Sequence, residues 1–286
     1  MNLFGGNYED KLKKGRIVNM IPKLIHYCWF GKSKKPDVFK QCIDSWRKYM
    51  PDYNIIEWNE DNVNLDELPF LKKAFENKKW AFISDVIRLK VIYAYGGIYL
   101  DTDVEIYQNF DFLLEYDAFF FFQNHNQINT GLGFGAVRNS PIIKKMLAAY
   151  DSILFDLNRL NDLTAPVINT KIIKEMINGF IPNNRTQKLD NCIFVSFNEY
   201  CKIAHHFGEF SWKSDKQARQ LKYSKKRLHA WGIRKRLRDS RIFDFFHKHR
   251  MNRTEKIYSF LVYDFIDYGF VYWVIKTWEK ITKRSN

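Results

Sequence analysis

The stretch from residue 83 to residue 103 constrains the fold more than any other part of the 286-residue sequence. Apolar residues at helical spacing follow Ser84, which predicts a helix with a broad buried face and Ser84 as its N-cap. A glycine pair at 96–97 predicts the end of this helix, because glycine adopts the left-handed backbone that other residues resist. A short apolar strand at 98–100 follows directly.

Most of the chain before residue 180 alternates between predicted strands and helices. We predict strands at 23–30, 53–58, 118–122 and 129–136, and helices at 38–49, 68–77, 142–157 and 167–178. This alternation indicates βαβ units and a mainly parallel sheet in an α/β fold. Apolar residues make up 46% of the sequence, which is enough for a substantial core and argues against wholesale disorder.

Basic residues concentrate at the carboxyl end. Residues 213–286 contain 20 Lys/Arg and 7 Asp/Glu, so they carry a net charge of +13 out of +14 for the whole chain. We therefore predict a near-neutral globular domain at 1–212 and a basic, aromatic-rich helical extension at 213–286. Such an extension fits a helix lying on anionic lipid, a nucleic-acid-binding segment, or a solvated basic layer packed on the core.

The sequence shows neither a secretory signal nor a clear membrane span. Residues 1–23 lack the apolar segment of a signal peptide, and the apolar stretch at 257–275 is interrupted by Asp264 and Asp267. The four cysteines form no CxxC pair, which favours free thiols in a reducing compartment. We expect a cytoplasmic protein that could contact the inner face of the membrane.

Asp101 and Asp103 are the main candidates for chemistry, because they follow the strand at 98–100. Ligands in open α/β sheets bind beyond the carboxyl ends of the strands, and two carboxylates in this spacing can address one Mg²⁺ or Mn²⁺ ion. A lone pair of this kind is more often solvated or caps a helix. Asp85 and Arg88 strengthen the case, since a charged pair three residues apart on an otherwise apolar helix predicts a polar cleft.

The ordered pattern Ser84-Asp85-x-x-Arg88, then Gly96-Gly97-Ile98-Tyr99-Leu100-Asp101-Thr102-Asp103, resembles the DXD sugar-binding region of glycosyltransferase family 32. It is also similar to the glucosyltransferase domain of the large clostridial toxins. The resemblance covers about residues 20–212 and is strongest at 82–103. It implies a GT-A fold, which is a Rossmann-like nucleotide-sugar-binding fold with a mixed central sheet, and a reaction that retains the anomeric configuration.

The same resemblance implies roles for individual residues. Asp85, Arg88 and Asp103 would be catalytic. The metal ion would be held by Asp101, Asp103 and one of the pair His205 and His206, a choice that the sequence leaves open. The residues implied in binding the nucleotide sugar are Trp29, Asp85, Arg88, Tyr99, Asp101, Asn129 and Trp212.

Three further segments take part in the resemblance. Trp29 would stack on the nucleotide base, although from its position alone it is more typical of a core aromatic. The histidine pair followed by Ser211-Trp212 resembles a carboxyl-terminal element of the family, in which Trp212 would close over the diphosphate. Residues 164–166, Thr-Ala-Pro, resemble its Thr-Gly-Pro element with alanine in place of glycine.

We therefore expect a retaining, metal-dependent transferase that uses Mn²⁺ or Mg²⁺. It would move a hexose from a nucleoside-diphosphate sugar, with UDP-sugars favoured, to a hydroxyl of a surface-polysaccharide or lipid-linked glycan acceptor. A lipid-linked acceptor makes contact with anionic membrane the favoured role of residues 213–286. The alternative is a metal-dependent nuclease or nucleic-acid-binding protein that uses the basic extension, but this charge lies more than a hundred residues after the aspartates.

Overall fold

A seven-stranded mixed sheet lies at the centre of the computed structural model, which describes residues 20–123 and 126–208. The predicted α/β fold with a mixed central sheet is confirmed, whereas its assignment to the GT-A type stays a prediction. The strands are β1 (Leu24–Cys28), β2 (Asn54–Trp58), β3 (Gly97–Tyr99), β4 (Val104–Ile106), β5 (Ala118–Phe121), β6 (Phe134–Ala136), β7 (Gln187–Leu189), β8 (Cys192–Val195) and β9 (Ala204–His206). The helices are α1 (Asp37–Tyr49), α2 (Pro69–Glu76), α3 (Trp80–Tyr95), α4 (Pro141–Ala149), α5 (Ala165–Met176) and α6 (Phe197–Ile203).

The central sheet has the strand order β2-β1-β3-β6-β5-β8-β7, and β4 pairs with β9 in a separate two-stranded sheet. β1 is parallel to β2 and β3, and β5 is parallel to β8. β6 is antiparallel to both of its neighbours, as β7 is to β8, so the sheet is less parallel than we predicted. The carboxyl ends of β1, β3 and β5 consequently meet at one edge, where the chain also enters β6.

Apolar side chains cover both faces of the central sheet. Phe119 and Phe121 pack into a core with α1, β4 and α6, whereas Phe120 and Phe122 pack into a second core with α2, α3, α4 and α5. Successive side chains of a strand point to opposite faces, so four buried phenylalanines in a row require a covering layer on each side. The sheet is thus the middle layer of three.

Helix α3 begins earlier than predicted, at Trp80. The Ser84 hydroxyl lies inside the helix and donates to the Trp80 carbonyl at 3.1 Å, so the prediction that Ser84 is the N-cap was wrong. The helix ends as predicted, because Gly96 and Gly97 have φ values of 67° and 104°. A Cβ at Gly97 would also lie 2.8 Å from the Leu24 carbonyl oxygen, so glycine allows the turn to approach β1 closely.

Other boundaries also differ from the predictions. The strand predicted at 129–136 is a strand only at 134–136, and residues 129–133 lead into it as an irregular segment that includes a turn. Helix α4 ends at Ala149 instead of residue 157. We did not predict β4, β7, β8, β9 or α6. The helical extension predicted at 213–286 lies outside the described residues, so the division at residue 212 stays a prediction.

Candidate active site

The site lies at the sheet edge where β1, β3 and β5 end. The DXD motif follows β3 and forms a turn into β4, in which the Val104 N–H donates to the Asp101 carbonyl at 3.0 Å. The segment 129–133 enters β6 at the same edge. Polar residues from two segments therefore converge at one end of an apolar sheet, which is where ligands bind in α/β folds.

Arg88 is a buried cation in this polar cluster, with only 3% of its surface exposed. Its Nη2 lies 3.2 Å from Oδ1 of Asp85 and 3.0 Å from Oδ1 of Asp101. The Tyr99 hydroxyl donates to the same Asp101 oxygen at 2.9 Å, and the guanidinium lies 4.7 Å from the centre of the Tyr99 ring. One arginine thus joins the helix α3 carboxylate to the first aspartate of the DXD motif.

Asp85 also contacts the first turn of helix α5, where the Ala165 N–H donates to its carboxylate. Burial raises the pKa of Asp85 to about 6, and the charge of Asp101 acts in the same direction, whereas Arg88 and the Ala165 N–H oppose the shift. Burial likewise raises the pKa of Asp101, with the charge of Asp103 adding to it and Arg88 opposing it. Both carboxylates would therefore be stabilised by a further cation.

Asp101, Asp103 and His206 each offer one ligand atom within 4.8 Å of the others. The antiparallel pairing of β9 with β4 brings them together, because His206 lies opposite Val104 and its Nε2 lies 3.2 Å from Oδ1 of Asp103. Burial lowers the pKa of His206, but the nearby Asp103 carboxylate outweighs that effect and raises it. Two carboxylates and one imidazole are a donor set that suits Mn²⁺ better than Mg²⁺.

The geometry coincides with a match to known proteins. Residues 36–120 match the family described as glycosyltransferase sugar-binding region containing DXD motif. This range contains Asp85, Arg88 and both aspartates of the motif. This segment of the chain is thus similar to the DXD glycosyltransferase family.

Two proteins from yeasts are similar to parts of this chain. Inositol phosphoceramide mannosyltransferase 3 of Schizosaccharomyces pombe is 32% identical over 136 residues, which are 41% of this chain and 37% of that protein. Mannosyl phosphorylinositol ceramide synthase SUR1 of Saccharomyces cerevisiae is 26% identical over 204 residues, 68% of this chain and 53% of that protein. The chain thus spans between about a third and about a half of the length of these curated relatives.

Among solved structures, the PaToxG glycosyltransferase aligns with a TM-score of 0.47 and 21% sequence identity. The alignment covers 55% of this chain and 69% of that one.

Of the two histidines that the sequence left open, His206 is the one that lies beside the aspartates. Neighbouring residues of a strand face opposite sides. The His205 ring packs edge-on against Phe207, with ring centroids 4.8 Å apart, and His205 lies opposite Glu105 in the strand pairing. The structure therefore does not place His205, which the sequence left as an alternative ligand, in the candidate metal site.

Trp29 follows β1 at the same sheet edge and is half-buried. Its ring contacts Phe39 at a centroid distance of 5.7 Å, and its Nε1 donates to the Ser33 carbonyl at 3.0 Å. The position is compatible with the predicted stacking on a nucleotide base, which stays a prediction. Trp212, predicted to close over the diphosphate, lies outside the described residues.

Three residues that we did not predict also border the site: Thr130, Gly131 and Asn169. Asn129, a predicted donor-sugar contact, accepts the Gly131 N–H at 2.8 Å, and a Cβ at Gly131 would lie 2.5 Å from Oδ2 of Asp101. Thr130 and Asn169 are fully buried beside this turn. A single amide on the aliphatic face of the helix at 165–176 was the sequence signal that could have identified Asn169.

Proposed function

We propose that this chain is a retaining hexosyltransferase that uses a nucleoside-diphosphate sugar and a divalent cation, with Mn²⁺ preferred. The match of residues 36–120 to a glycosyltransferase sugar-binding region supports the reaction class. The observation that carries the proposal is the group of Asp101, Asp103 and His206, whose ligand atoms lie within 4.8 Å of one another at the sheet edge that carries the DXD motif. The match to a sugar-binding region favours glycosyl transfer over a metal-dependent nuclease.

The described residues suggest how the donor is held. A bound cation would supply the positive charge that neutralises the departing diphosphate. Asp85 offers a carboxylate oxygen to hydroxyl groups of the donor sugar, and Arg88 fixes its position relative to Asp101. Preorganised charges of this kind stabilise a transition state without rearranging during the reaction.

Retention follows from attack on the face that the leaving group occupies. The acceptor hydroxyl oxygen forms a bond to the anomeric carbon while the bond from that carbon to the diphosphate oxygen breaks. The proton of the acceptor hydroxyl passes to the departing diphosphate. This route places the catalytic demand on stabilising the diphosphate, which is the task that a cation held by Asp101, Asp103 and His206 would perform.

The names of the similar proteins bear on the choice of substrates. We favour UDP-sugars as donors, and the names of the two yeast relatives add mannose as a sugar to test. For the acceptor we propose a hydroxyl of a surface-polysaccharide or lipid-linked glycan. The ceramides in the relatives' names favour a lipid-linked acceptor, reached from the inner membrane face through residues 213–286. Within residues 20–123 and 126–208, no helix is both long enough and apolar enough to cross a bilayer.

Hydrolysis of nucleotide sugars without an acceptor tests the proposal. The purified chain is incubated with UDP-glucose, UDP-galactose, UDP-N-acetylglucosamine and GDP-mannose, with Mn²⁺ or with EDTA. We expect release of the nucleoside diphosphate from one donor class in Mn²⁺ and none in EDTA, with the released sugar first appearing as the donor's anomer by NMR. Release that persists in EDTA, or inversion of the anomer, would contradict the mechanism.

A further inference from the structure

The guanidinium of Arg88 has a second set of partners besides the two aspartates. Its Nε donates to the Ser84 carbonyl at 3.1 Å, and its Nη1 donates to the Thr130 hydroxyl at 3.3 Å. Asn169 of helix α5 donates from Nδ2 to the same hydroxyl at 3.2 Å. A chain of hydrogen bonds therefore runs from α5 through Thr130 to the arginine.

The burial of this hydrogen-bond network argues that the network does more than hold the fold together. Thr130 and Asn169 have no exposed surface, and Asn169 Oδ1 has no hydrogen-bond partner among the described residues. The Asn169 side-chain amide can be placed in two orientations related by a flip. In each orientation one amide atom bonds to Thr130 and the other is left unpaired. An unpaired buried polar atom is destabilising, whereas an apolar side chain of similar shape would pack there without that cost.

This hydrogen-bond network also explains an unusual contact pattern of Arg88. Arginine usually grips a carboxylate with two parallel N–H groups. Here Nη2 alone faces both Asp85 and Asp101, while Nη1 is occupied by Thr130. If Thr130 released Nη1, the guanidinium could turn and grip Asp101 with both groups, which would draw that carboxylate away from the metal site.

We propose that Thr130 and Asn169 are positioning residues, which keep the Arg88 guanidinium shared between Asp85 and Asp101. Their effect on turnover rests on the proposed function, whereas their effect on the orientation of Arg88 does not. Both effects are therefore measured separately.

Thr170 supplies a matched control on the same helix. Its hydroxyl accepts the Ile128 N–H at 2.8 Å. It therefore joins α5 to the backbone just before the turn at 129–133, and no hydrogen bond between it and Arg88 is found among the described residues. Thr170→Val removes a contact of similar kind one residue from Asn169. A purely structural role for the hydrogen-bond chain predicts the same consequences for Thr170→Val as for Thr130→Val.

The first measurement is NMR of the full chain labelled with ¹⁵N-arginine. We expect Thr130→Val and Asn169→Leu to speed rotation or hydrogen exchange of the Arg88 Nη groups by about tenfold or more. The first variant removes the hydrogen bond to Nη1, and the second removes the bond that holds the Thr130 hydroxyl in place. Thr130→Ser and Thr170→Val are expected to stay within about twofold of wild type, since both keep the hydroxyl bond to Nη1. Unchanged Arg88 signals in Thr130→Val and Asn169→Leu, with both variants folded, would overturn the proposal.

The second measurement is donor hydrolysis in Mn²⁺. Thr130→Val and Asn169→Leu should lower kcat by about tenfold with KM changed less than about threefold, and the double variant should be no worse than either single variant. Thr130→Ser should recover most of the kcat, and an equal loss of kcat in Thr170→Val would overturn the positioning role. If the NMR effects occur but the wild type hydrolyses no nucleotide sugar, the proposed function fails and the positioning of Arg88 stands.

Discussion

Arg88 is costly to bury, and its surroundings show how the chain offsets that cost. Moving a guanidinium out of water costs several kcal/mol, and Asp85 and Asp101 compensate at 3.2 and 3.0 Å. Buried ion pairs contribute little net stability compared with well-packed apolar residues. The arrangement is therefore better explained by a need to fix two carboxylates at the proposed metal site.

Arg88→Lys separates charge from geometry. Lysine keeps the positive charge but lacks the planar fork that contacts Asp85, Asp101 and Thr130 together. We expect donor turnover to fall by about a hundredfold, roughly 3 kcal/mol of transition-state stabilisation, while the folded state survives. The measurement is kcat/KM for donor hydrolysis together with thermal unfolding.

The control for that variant is Arg47→Lys. Arg47 is an exposed arginine on helix α1, and it pairs at 3.4 Å with Asp44 of that helix. It is expected to keep the turnover of the wild type. An Arg88→Lys variant with wild-type turnover and a lower melting temperature would show that Arg88 serves only the fold.

Strand β1 is tied to its neighbours by a buried histidine. The Trp58 indole donates to His26 Nδ1 at 3.1 Å, and His26 Nε2 lies 2.9 Å from the Gly96 carbonyl oxygen. An indole nitrogen can only donate, so Nδ1 accepts and Nε2 carries the proton. Burial lowers the pKa of His26 to about 4, and the Gly96 carbonyl opposes the shift only in part. The neutral ring thus links β1, β2 and the turn between α3 and β3.

This histidine predicts a loss of stability in acid. Its pKa is about 4 in the folded state and close to 6.5 when unfolded, so the unfolded chain takes up the proton first. The free energy of unfolding should decline as pH falls from about 6.5 to about 4, by up to roughly 3 kcal/mol from this group. Urea unfolding at several pH values measures the decline.

The variant His26→Gln keeps an N–H donor for Gly96 but cannot titrate. It should show a shallower pH dependence than the wild type, while all other titrating groups contribute equally to both proteins. Identical pH slopes for the two proteins would show that His26 does not cause the acid sensitivity.

Elements with a continuous local pattern were predictable, and elements defined by distant pairing were not. The end of α3, strand β3 and the DXD motif lie in one stretch, where the glycine pair and the apolar spacing are visible in the sequence. β4 and β9 have three residues each, which is too short for a periodic signal. Because only their pairing decides which histidine faces Asp103, the sequence could not distinguish His206 from His205.

For the whole molecule, the distribution of charge is the feature with the clearest consequence. Almost all of the net charge of +14 lies in residues 213–286, after the residues of the candidate site that the structure describes. We expect the full-length chain to bind vesicles that contain phosphatidylglycerol, and a variant ending at Ser214 to hydrolyse the donor without binding them. Binding should weaken as salt rises to about 0.5 M, because charge interactions are then screened within a few Å.

A full-length control avoids removing the extension. Replacing Lys225, Lys226 and Arg227 by glutamine should weaken vesicle binding and leave donor hydrolysis unchanged. Vesicle sedimentation measures the first effect. Retention of duplex DNA at physiological salt, without vesicle binding, would instead assign the extension to nucleic acid.

Mn²⁺ binding tests the proposed metal centre most directly. Isothermal titration calorimetry with a nucleoside diphosphate present would compare the wild type with Asp103→Asn, His206→Ala and His205→Ala. The geometry predicts that the wild type and His205→Ala bind Mn²⁺ alike, whereas Asp103→Asn and His206→Ala lose at least about tenfold in affinity, because each removes a ligand. Equal Mn²⁺ affinity in all four proteins, or a loss confined to His205→Ala, would contradict the assignment of the metal site.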